Sequence, residues 1–342
     1  MTDSNRDFRI DFLRWIGLTL IVLAHVKAPF GVTQLRSFDV PLMVFVSGLC
    51  FKTPKGNIWS YLLKRFRRLY FPTAIFLCFY FLMLYIAKKA GIHIPFDKED
   101  IIGSFLLLEK PSIGYVWIIR VFILMALTVP CTYYFVKSQH AITIWISIVF
   151  IYIINNIACK YIYFIQSDIL RFIIEEYVLF TIGYGLILTL SLWIKNKANR
   201  IIKIFGLIAG LLLLTFFGEM LIEKTIFPIS SVYKYPPHSY YILYGLCCCF
   251  LLYSLTISWN NKTHKFWHPF IVYISEHSMW IYLWHIPFVT FCNSIHSLDH
   301  YWLAKWIFCY IMAIIITFLQ VRIINYINDH FFKCKWFKYL IQ

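Results

Sequence analysis

The chain has 342 residues, 61% of them hydrophobic and 14% charged, with a formal net charge of +16 and a mean hydropathy of +0.70. A soluble domain of this length carries about 25% charged residues, so a soluble globular enzyme is excluded. The basic excess calls for no nucleic acid, because its placement along the chain accounts for it. Apolar runs of spanning length recur throughout and predict an all-α integral membrane protein. Ten spans are predicted, near residues 12–28, 35–51, 69–87, 115–136, 141–158, 172–194, 200–218, 239–258, 269–292 and 302–327. They make residues 1–342 a single polytopic bundle with no soluble domain. With the N-terminus in the cytoplasm, the inner segments hold 20 basic and 4 acidic residues and the outer ones 11 of each. That is the positive-inside pattern of a multi-pass protein of the plasma (inner) membrane with both termini cytoplasmic. The inner excess also attracts anionic lipid. The basic, then apolar, N-terminus lacks a small-residue cleavage site, so it reads as a retained first span. The ten cysteines form no CxxC pair, so neither a zinc centre nor a disulfide framework is expected.

The first span opens Arg9-Ile-Asp11-Phe-Leu-Arg14 and reaches His25. Eleven residues bring a helix three turns plus about 20° round, so Arg14 and His25 share one predicted stripe with about 16 Å of rise between them. Asp11 lies one turn before Arg14 and is placed to pair with it. Two readings stand for each residue. Arg14 either snorkels to the headgroups or holds an anion. His25 is either a hydrogen-bonded packing residue or a base whose pKa suits proton transfer. Together they point to an anionic cofactor at one end and proton chemistry at the other.

The second span is short and carries Pro41 and the pair Ser47-Gly48, so it is expected to be tilted, broken or sheltered by protein. Trp59 to Tyr70 mixes aromatics with Lys64, Arg65, Arg67 and Arg68 and predicts an interfacial amphipathic helix. Arg65 and Arg68 share a face there and suit bidentate phosphate binding; a plain topogenic basic cluster is the other reading. The outer stretch 88–114 leads to the fourth span, where Arg120 follows Trp117 and either snorkels outward or faces an acceptor pocket. Gly206 and Gly210 predict a helix-packing contact. The outer segment 219–238 ends in Pro236-Pro237-His238, a capping loop or a lid. The ninth span places Ser278, Tyr282 and His285 within about 60° of one another, and His285 reaches about the depth of His25, roughly 20 Å from the cytoplasmic end. Glu276 points to another face. The pairs His264/His268 and His296/His300 lack a third ligand, so no metal site is expected.

These segments taken in order resemble the membrane acyltransferase-3 family, which includes bacterial O-antigen and capsule O-acetyltransferases. The matching stretches are Ile10–Arg14 leading to His25, Pro41–Phe51, Tyr61–Pro72, Gly114–Trp117, and Ile274–Ser278 with Ile281–His285. The resemblance implies acetyl transfer from acetyl-CoA, as a donor substrate rather than a bound cofactor, to a sugar hydroxyl of a surface polysaccharide or its lipid-linked precursor. It implies His25 as the essential histidine, Arg14 as its motif partner and Asp11 beside them, with Arg65 and Arg68 on the donor. We group Ser47 and Gly48 with the donor residues, and Trp117, Arg120, Ser278, Tyr282, His285 and Glu276 as candidates to line the substrate site. The rival from another class is a transporter or flippase of lipid-linked glycan. It predicts broken helices paired in two related halves, and the sequence has no such repeat. A glycan polymerase would need a larger outer loop than any present.

Overall fold

The computed structural model describes residues 6–54, 56–91, 96–223, 231–257, 259, 267–332 and 340. Those residues are predominantly helical, and no strand occurs among them. The basic loop at 262–265, with His264, lies outside them, as do residues 224–230 of the outer segment. Among the described residues five stretches are long and apolar enough to cross a bilayer, namely Ile58–Lys89, Trp117–Ser138, Ala141–Phe164, Asp168–Ile194 and Ser297–His330. Ser239–Leu255 is a shorter apolar helix. Along Ala141–Tyr161, Ile142, Ile146, Val149, Phe150, Ile153 and Ile157 are exposed, the apolar outer face of a helix whose solvent is lipid. The chain is a multi-pass membrane protein built of helices.

Several spans depart from one continuous rod, each for a local reason. The first helix runs Phe8–Ala24 and stops one residue short of His25. Pro29 disfavours helix at Ala28, and Lys27 takes a left-handed φ of +54°, the conformation that commonly terminates helices. His25 therefore opens a turn, and the expected stripe shared with Arg14 does not extend to it as helix. The second span is broken into Phe30–Leu35 and Asp39–Leu49. The ninth is broken at His277, between His268–Glu276 and Ser278–Ser294. The separate interfacial helix expected at Trp59–Tyr70 is corrected: it continues through Pro72 into one 32-residue helix, Ile58–Lys89. Asn57 caps that helix, its side chain accepting from the Trp59 N–H at 2.9 Å. Proline there withdraws one N–H from the ladder, which the long helix on either side tolerates.

The helices gather into two compact units. One holds the first helix, the Pro29–Thr53 segment and the described part of Leu127–Ser275. Close helix approach holds it together. A Cβ on Gly48 would fall 1.8 Å from the Ser191 hydroxyl, and one on Gly206 would fall 2.0 Å from that of Ser254. Small residues of this kind let helix backbones approach in lipid, where packing replaces the hydrophobic effect as the driving force. The other unit holds His25–Ala28, the described part of Pro54–Ala126 and the described part of Glu276–Gln342. Within it the Ser278–Ser294 helix packs along Trp302–Ile327 and contacts Ile58–Lys89.

Candidate active site

His25 sits on the turn that follows the first helix, and its surroundings come from its own unit. Asn293 donates from Nδ2 to the His25 carbonyl at 2.9 Å, satisfying an acceptor that a helix terminus leaves open. Two residues on, Lys27 meets Asp299 at 3.2 Å, and Asp299 is also held by the buried Lys305 at 2.6 Å. The turn is thus fixed at its backbone and at its outer side chain.

The imidazole of His25 lies against that of His285. Nδ1 of His25 is 2.9 Å from Nε2 of His285, with ring centroids 5.0 Å apart and planes 22° apart. His285 is fully buried, and its Nδ1 faces the Tyr282 carbonyl one turn earlier. Tyr115 stands edge-on to both rings, at 4.7 Å from His25 and 6.2 Å from His285. Tyr282 donates its hydroxyl to the Tyr115 carbonyl. The result is an aromatic enclosure around one hydrogen-bonded imidazole pair, with His285 and Tyr282 buried and His25 and Tyr115 half-buried, an arrangement able to take up and return a proton.

A second cluster lies in the other unit. Arg14, half-buried, donates to the Ser275 hydroxyl at 3.0 Å and to Cys50 Sγ at 3.2 Å. Ser275 in turn donates to Asp11 at 2.6 Å. Asp11 does not pair with Arg14, as its spacing had suggested. Arg6 takes it instead through two bonds of 2.6 and 2.8 Å. Among the described residues no carboxylate contacts Arg14, so its charge is directed onto neutral acceptors. Beside Cys50, Lys195 donates to the Phe51 carbonyl. Burial holds the Lys195 ammonium below the usual lysine range; Cys50 favours its charged form and Lys52 opposes it.

The remaining expected residues fall in different settings. Arg65 is half-buried with its guanidinium 5.4 Å from the Tyr61 ring, and Arg68 is exposed one turn on. Ser47 is exposed and bonded to the Met43 carbonyl at 2.9 Å. Gly48 is accounted for by its contact with Ser191 and presents no surface to a ligand. Trp117 and Arg120 are both buried, so Arg120 does not snorkel outward. Ser278 opens its helix about 10.5 Å of rise before His285. Glu276 is exposed at the last residue of the preceding helix.

The structure thus brings His25, His285 and Tyr282 together, and places Arg14 and Asp11 on either side of Ser275 without a direct contact. Tyr115, Asn293, Ser275 and Cys50 complete the two clusters without having been singled out in the sequence. Asn293 lies one residue past the predicted end of the ninth span and carried no signal, whereas Ser275 and Tyr115 lay inside motifs already noted. Comparison with curated proteins and with solved structures gives no match. Residues 7–322, which include both clusters apart from Arg6, match the acyltransferase domain that defines the acyltransferase-3 family, and the chain belongs to that family of membrane acyltransferases.

Proposed function

We propose that the protein moves an acetyl group from acetyl-CoA to a sugar hydroxyl of a surface polysaccharide or its lipid-linked precursor, in the plasma (inner) membrane. In this reading the whole chain acts as one membrane domain of ten spans with both termini cytoplasmic. The observation that carries the proposal is the hydrogen-bonded pair of His25 and His285, 2.9 Å apart in an aromatic enclosure. An imidazole has a pKa suited to general-base work near neutrality.

His25 takes the proton of the acceptor hydroxyl as its oxygen bonds to the thioester carbonyl carbon. The tetrahedral intermediate then collapses, the carbon–sulfur bond breaks, and the departing thiolate recovers the proton from His25. Arg65 and Arg68 serve the donor phosphates, to which guanidinium groups are matched by charge and by their forked donors. Arg14, facing neutral acceptors, is available to an anion at the cytoplasmic end of the first helix.

The test compares membranes carrying the protein with membranes carrying His25→Ala at matched expression, supplied with labelled acetyl-CoA. Label is expected in the glycan fraction of the first and to fall by about 100-fold or more in the second, since general-base catalysis contributes ~10²–10⁴. Incorporation by His25→Ala at the original rate would overturn the role given to His25.

A further inference from the structure

We infer that His285 is a positioning residue that fixes the tautomer of His25 and so makes Nε2 of His25 the basic atom. The inference rests on the acyl-transfer reading above. A neutral imidazole carries one N–H donor and one lone-pair acceptor. Nδ1 of His285 faces the Tyr282 carbonyl, and a carbonyl only accepts, so the hydrogen of His285 lies on Nδ1. Its Nε2 then bears the lone pair. Nδ1 of His25, 2.9 Å away, is left as the donor, and the lone pair of neutral His25 falls on Nε2.

The opposite assignment sets the Nδ1 lone pair of His285 against the carbonyl oxygen inside a fully buried position, or makes His285 a cation in an apolar span. Both are costly where water is excluded.

The relay has a consequence for the reaction. When Nε2 of His25 takes the hydroxyl proton, the resulting imidazolium still donates from Nδ1 to His285, now through a charge-assisted bond. His285 therefore stabilises the cation, the part a carboxylate plays in the serine hydrolase triad, but does so as a neutral acceptor. A neutral partner carries no ionic desolvation penalty in a helix that spans lipid. The titratable groups facing the pair are the phenols of Tyr115 and Tyr282, with Lys27 and Asp299 on the adjoining turn.

Two substitutions separate this role from mere packing. His285→Phe keeps a ring and removes the acceptor; His285→Gln loses the ring and returns an acceptor near the position of Nε2. Turnover per protein is read in membrane vesicles carrying the native glycan, with acetyl-CoA as donor. His285→Phe is expected to lower kcat by about 100-fold, to leave KM for acetyl-CoA within about 3-fold, and to move the acid limb of kcat/KM to lower pH, because the His25 cation has lost its acceptor. His285→Gln is expected to restore at least about 10-fold of that loss and most of the pH shift. Nitrogen-15 NMR of histidine-labelled protein in detergent is expected to show His25 protonated at Nδ1. A wild-type kcat for His285→Phe, a Gln variant no better than Phe, or His25 protonated at Nε2 would each overturn the inference. If the unsubstituted protein transfers from no acyl-CoA, it is the acyl-transfer reading that fails. The NMR measurement still decides the tautomer in that case, and also if neither variant folds.

Discussion

Arg14 shows how a single side chain is kept available. A guanidinium one turn from a carboxylate ordinarily pairs with it, yet Arg6 and Ser275 take Asp11, and Arg14 turns to a hydroxyl and a thiol. The sequence spacing placed Asp11 and Arg14 on one face correctly but did not reveal this exchange, because the residues that divide them come from 261 positions away and from the segment before the helix. If Arg14 binds an anionic part of the donor, removing its charge costs the 1.5–3 kcal/mol typical of a charged hydrogen bond, or roughly a 10- to 100-fold change in affinity. Arg14→Gln is therefore expected to raise KM for acetyl-CoA by about 10-fold or more, with Arg14→Lys intermediate because it keeps the charge and loses the fork. A fall in kcat with KM unchanged would instead assign Arg14 to the chemical step.

At the scale of elements, the spans with uniform hydropathy were legible and the interrupted ones were less so. The predicted span, 12–28, ran past the helix end at Ala24; the left-handed Lys27 and Pro29 decide that end. The basic and aromatic mixture at Trp59–Tyr70 had the opposite effect, suggesting a separate interfacial helix where the Ile58–Lys89 helix continues. The short second span was legible as irregular, and Gly48 within it was legible as special, although its use is packing. A methyl group on Gly48 would meet the Ser191 hydroxyl at 1.8 Å with the Ser191 Cβ at 3.0 Å, and Ser191 is itself tied to the Leu188 carbonyl at 2.7 Å. The Asp39–Leu49 helix would have to move off its neighbour. Gly48→Ala is expected to cost about 1–3 kcal/mol, the usual range for overpacking, seen as a lower Tm in detergent. Adding Ser191→Ala should recover part of the loss, because it removes the nearer of the two clashing atoms. An unchanged Tm for Gly48→Ala would show that the interface yields without cost.

For the whole molecule, orientation is a question of charge and of how many helices cross. The outer segments carry as many acids as bases, and the entire +16 faces the cytoplasm under the ten-span arrangement. Moving such a segment across the bilayer opposes the bias that lysine and arginine impose. Between Lys98, at the start of the Lys98–Phe105 helix, and Lys197, just beyond the Phe180–Ile194 helix, lie three predicted spans, an odd number, so the two lysines belong on opposite sides. The third of these passes through a π-helical stretch, Ile174–Leu179, a wider turn that keeps the backbone bonded within the segment and so is compatible with crossing. Lys98→Cys is therefore expected to react with a membrane-impermeant maleimide in intact cells, and Lys197→Cys only after lysis, each measured above the labelling of the parent chain. Equal labelling of both in intact cells would mean that one of the three helices fails to cross. That result would place the basic 195–203 segment outside, against the charge rule, and would remove the cytosolic face from which a polyanionic donor is proposed to bind.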